Sequence, residues 1–137
     1  MSVFWRLFAV LGLVFCANAA SAIDKWTVTD LGSARTESIC VDAATQSFVS
    51  FGNVFGASRM MRTDWTVYGY DLNNADHDAV ITCTFATANS TRATLIVYSN
   101  DSIQGGLISN RLAQEFYAQN DRLEEEWLQK AYDRFGF

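Results

Sequence analysis

The chain of 137 residues is half hydrophobic and only 18% charged, which excludes wholesale disorder because enough apolar surface is present to offset the entropy of ordering. At roughly 100 to 200 residues per domain, one folded domain is expected. Fifteen acidic residues stand against ten basic ones with no basic cluster, so the field repels phosphate backbones and general nucleic-acid binding is disfavoured.

Residues 1–22 carry one early cation, Arg6, an apolar run from Leu7 to Phe15, and small residues ending in Ala20-Ser21-Ala22. This is the pattern of a signal peptide, with cleavage expected before Ile23 and an alternative cut after Ala17-Asn18-Ala19. The run is shorter than the roughly 20 apolar residues of a membrane span, so no stable membrane anchor is expected in the mature form. Bulky Phe15 before Cys16 speaks against lipid attachment there. The expected organisation is therefore a leader, 1–22, and one exported domain, 23–137, found in the periplasm or outside the cell. Loss of Arg6 leaves a net charge of −6 (9 Lys and Arg against 15 Asp and Glu).

Lys25 to Asp30 alternates apolar and polar residues, which predicts a first strand ending at Leu31-Gly32-Ser33. From a Thr36 N-cap, Cys40, Ala44, Phe48, Phe51 and Phe55 recur at helical spacing, with Gly52 and Gly56 marking the end. Residues 56 to 64 read as a connection. Three strands are then expected, over 65–72, 79–87 and 92–99, joined by short polar turns. Ser102 to Gly106 interrupts the pattern, and a long helix is predicted from Leu107 to about Arg134, with Leu112, Phe116, Leu123 and Trp127 on one stripe. The order β-α-β-β-β-α implies an α+β fold, a small antiparallel sheet covered by helices.

Cys40 falls on the apolar stripe of the first helix, and Cys83 shares the inward face of the middle strand with Ile81 and Phe85. In an oxidising compartment the two are expected to form one structural disulfide, since neither lies in a Cys-x-x-Cys motif. Asp71, Asp76, His77 and Asp78 cluster near a turn but lack the glycine and closing glutamate of an EF-hand, and one histidine with two distant cysteines does not suit zinc. No metal and no cofactor is therefore expected. The motifs of serine hydrolases, zinc proteases and P-loop proteins are absent, so no catalytic residue is assigned.

Trp65, Tyr68 and Tyr70 offer an aromatic platform for a sugar or a partner side chain, with the two tyrosines on one face and Trp65 pointing from the other. Near the end of the last helix, Leu128, Tyr132 and Phe135 depart from the main stripe by about 100° and form a second apolar patch. These three residues are the candidate contact with a protein partner or another copy of the chain. The functional expectation is a small exported non-catalytic accessory or protein-binding module. Two alternatives stay open: a periplasmic hydrolase using His77 with Asp76 or Asp78, and an acidic inhibitor of a basic enzyme.

Overall fold

Residues 25–136 are described by a computed structural model, and the expected leader with its cleavage point lies outside them. In chain order the elements are β1 (Lys25–Ala34), α1 (Glu37–Phe55), β2 (Arg59–Arg62), β3 (Thr66–Tyr70), a 3-10 turn (Leu72–Asn74), β4 (His77–Thr87), β5 (Ser90–Ser99) and α2 (Ser102–Phe135). The strands form one antiparallel sheet in the order β1-β5-β4-β3-β2. The fold is thus α+β, as the residue pattern predicts, with five strands rather than four.

Alternation along β4 and β5 explains which face is covered. Ala79, Ile81 and Cys83 of β4 and Ala93, Leu95 and Val97 of β5 are buried, whereas their neighbours in sequence are not. Against this face α1 lays Cys40, Ala44, Phe48 and Phe51, and α2 lays Ile108, Leu112 and Phe116. The side chain of Thr36 caps α1 by accepting the Ile39 amide at 3.1 Å, and Gly56 ends it with a bond to the Gly52 carbonyl. Phe48 reaches the sheet because Gly69 of β3 has no side chain there. A Cβ at Gly69 would sit 2.6 Å from Phe48 Cδ1.

The sulfurs of Cys40 and Cys83 are joined at 2.05 Å, with their Cα atoms 6.1 Å apart. The bond ties the buried side of α1 to the central strand. Among the described residues, no helix is long and apolar enough to cross a membrane.

Several strand ends shift by one or two residues, and three differences from expectation have a local cause. β1 does not stop at Leu31-Gly32-Ser33 but runs on to Ala34 through a bulge, which Gly32 accommodates at a φ of 81° while its amide donates to Asp30. Residues 59–62, expected to be a connection, form β2. This edge strand is short and fully exposed, so it has no hydrophobic alternation to announce it. Ser102 to Gly106 is the start of α2 rather than a break, because Asp101 caps the helix by accepting the amides of Ile103 and Gln104.

Candidate functional site

His77 is not in a solvated turn. It opens β4 on the covered side of the sheet with 6% of its surface exposed, and its Nδ1 lies 2.9 Å from Ser99 Oγ. Ser99 Oγ also accepts the Asp101 amide at 3.0 Å and donates to the Asp101 carbonyl at 2.8 Å. A hydroxyl has one proton, so with that proton on the Asp101 carbonyl, the bond to His77 requires Nδ1–H to be the donor. The group links the start of β4 to the cap of α2. Strand alternation turns Asp78 to the opposite face, where its Oδ1 accepts the Asp71 amide at 3.1 Å, and Asp76 is exposed. The histidine and the aspartates named beside it are therefore not assembled, and Ser99 is wholly buried. Among the described residues, no group of three or more His, Cys, Asp or Glu is placed to hold a metal ion.

The last helix measures about 51 Å at 1.5 Å per residue. Its buried residues run from Gly105 to Asn120, and Leu123 packs against the edge of the core. Trp127 was expected on the stripe that covers the sheet. It lies beyond the sheet and is exposed, with the Arg35 guanidinium 4.8 Å above its ring. Arg35 also donates its amide to Glu124 at 3.0 Å, so one residue fastens the helix at two neighbouring turns. Past this point Leu128, Tyr132 and Phe135 are 46%, 59% and 65% exposed. Their spacing of four and three places them within an arc of about 60° on one side of the helix.

The second exposed apolar surface is the face of the sheet that carries no helix. Tyr68 and Tyr70 share it, as their spacing predicts, with rings nearly parallel and centroids 6.3 Å apart. Trp65 lies before β3, apart from the tyrosine pair, with its ring centroid 6.0 Å from that of Phe85. The register brings Trp26 of β1 opposite Tyr98 of β5, centroids 4.8 Å apart, and places Val28 beside Ile96 and Ile96 beside Val80. A groove of about 410 Å³ results, with aromatic walls from both sides and Val80, Ile96 and the Asp78 side chain along its floor. On the β2 side, Arg59 stacks its guanidinium 4.6 Å from the Tyr70 centroid.

Reasoning along the chain finds the tyrosine pair but misses Trp26 and Tyr98. The available signal is that at the end of β5 the even-numbered Ile96 and Tyr98 are apolar like the odd-numbered Leu95 and Val97. A strand that is apolar on both sides has something to cover on both. No protein-family model, curated protein or solved structure matches this chain.

Proposed function

We propose that this chain is an exported, non-catalytic protein-binding module that presents the end of α2 to a protein partner. The observation that carries the reading is the exposed cluster of Leu128, Tyr132 and Phe135 on a helix that has already left the core. Leaving three large apolar side chains about half exposed on one narrow arc is unfavourable, and docking them recovers part of the roughly 1.5–3 kcal/mol that full burial of each contributes. Pairing at two neighbouring turns by Arg35 holds the root of the overhang, so less order has to be imposed on binding. The Cys40–Cys83 bond supports an oxidising compartment, in keeping with the leader read in residues 1–22.

The test compares the secreted protein with a variant carrying Leu128→Asp and Tyr132→Asp. Both are used for affinity capture from cell-envelope extract and followed by thermal unfolding and sedimentation. The reading predicts that a protein retained by the native chain is lost by the variant, while the unfolding transition stays in place. If both chains retain the same proteins, or if the variant unfolds at a much lower temperature because these residues complete the core, the reading is overturned.

A further inference from the structure

A flat sheet face covered by aromatic rings is attractive to many apolar groups, but one feature of the groove selects among them. Among the described residues Asp78 is the single charged side chain in its lining, and it stands on β4 between the aromatic residues of β5 and those of β3. Strands in a sheet are spaced by about 4.8 Å, so Tyr98 and Tyr70 stand on strands roughly 9 to 10 Å apart, with the carboxylate row midway between them. A cation placed there lies close to the roughly 6 Å within which aromatic faces attract positive charge, and it meets a carboxylate as well.

The chain itself displays this chemistry at the rim, where Arg59 stacks on Tyr70. Arg92, the other described cation of this face, is paired with Asp30. The groove floor is otherwise Val80 and Ile96, which suits the alkyl stem of a long basic side chain.

We infer that this groove binds an arginine or lysine side chain of a protein or extended peptide, with Asp78 as the charge partner and Trp26, Tyr98 and Tyr70 as the aromatic walls. The site is on the opposite side of the sheet from the helices and does not depend on the overhang of α2. Arg59 competes with the ligand for Tyr70, because it covers one side of that ring with the same charge. The net negative charge of the chain favours the approach of a basic partner.

The probe is a blocked tripeptide with a central arginine, set against its counterparts with central glutamine and glutamate. Each is titrated into the isotope-labelled secreted protein and followed through backbone amide shifts. The expected result is saturable shifts confined to residues around 26, 70, 78–80 and 96–98, with the arginine peptide bound at least tenfold more tightly than the glutamine peptide and weakened by salt. Asp78→Asn keeps an oxygen for the Asp71 amide, so the fold is retained, and it should erase the preference for arginine. Trp26, 64% exposed on the edge strand, is likewise dispensable for the fold, and Trp26→Ala should weaken binding at least threefold. Arg59→Ala should strengthen binding severalfold by removing the competing cation. Equal binding of the glutamine peptide, shifts outside the groove, or an unchanged preference in Asp78→Asn would each overturn the inference.

Discussion

His77 Nδ1 and Ser99 Oγ face each other at 2.9 Å on adjacent strands, and through Ser99 the imidazole is coupled to Asp101, the residue that caps α2. The sole histidine of the chain therefore has a structural task. Ser99→Ala removes the hydroxyl that satisfies both the ring and the Asp101 amide, leaving the ring nitrogen unpaired in a buried place and the amide unpaired in a half-buried one. A loss of about 1–3 kcal/mol is expected in denaturant unfolding, since unpaired buried donors cost that much. A loss below about 0.5 kcal/mol would show that water replaces the hydroxyl at little cost.

Reduction of the Cys40–Cys83 bond should be the most damaging covalent change to the described residues. The bond closes a loop of 43 residues, for which the chain-entropy account gives about 4 kcal/mol. Cys83→Ser should lower stability by an amount of that order, and reducing agent should bring the native chain down to the same level. If the native protein unfolds at the same midpoint with and without reductant, the bond contributes nothing to stability.

Gly69→Ala is a one-methyl insertion into a filled space. The new Cβ would approach Phe48 Cδ1 to 2.6 Å and Leu72 Cδ2 to 3.1 Å, and forcing a group into a packed core typically costs about 1–3 kcal/mol. Combining it with Phe48→Leu should cost less than the two single changes together, because the leucine vacates the ring position. Additive losses in that double-mutant cycle would mean that Phe48 is not what the methyl meets.

Acid stability is expected to depend in a small way on Asp30. The Gly32 amide, and after it the Arg92 guanidinium, hold its carboxyl below the ordinary value of 3.8. The folded state then binds fewer protons than the unfolded one, so the contribution is present above that ordinary value and is lost as the pH falls through the lower, folded value. Asp30→Asn should flatten the dependence of stability on pH below about pH 5 and leave the neutral plateau nearly unchanged, because the pair is exposed. Identical acid limbs for the two proteins would remove Asp30 from the account.

How legible this molecule was depended on whether an element has one wet side and one dry side. Cys40 and Cys83 read correctly as facing one core because a helical stripe and a strand alternation each singled them out. The tyrosine pair on β3 read correctly for the same reason. β2 left no trace because all four of its residues are exposed and it exists only by pairing with β3. The start of α2 was hidden by Gly105 and Gly106, whose weak helical propensity is offset by the Asp101 cap. Trp127 misled for another reason, since its spacing continues the buried stripe after the sheet has ended. The groove depends on β1 lying beside β5, and that adjacency brings Trp26 to Tyr98 across the greater part of the chain.

The same adjacency has a consequence in time. In the native pairing β1 bonds only to β5, with Lys25 opposite Ser99 and Ala34 opposite Thr91, so the first of the described strands to emerge during synthesis waits for the last. The two ladders that do not involve β5, β2–β3 and β3–β4, and both cysteines are complete in sequence before β5 begins at Ser90. Cross-linking of Cys40 to Cys83 can thus precede the docking of β1, and a chain arrested just before β5 would hold an oxidised bond and a dangling amino-terminal segment. Contacts between distant parts of a chain are slow to close, and the aromatic groove, with walls from β1 and β5, is assembled only once β5 has arrived.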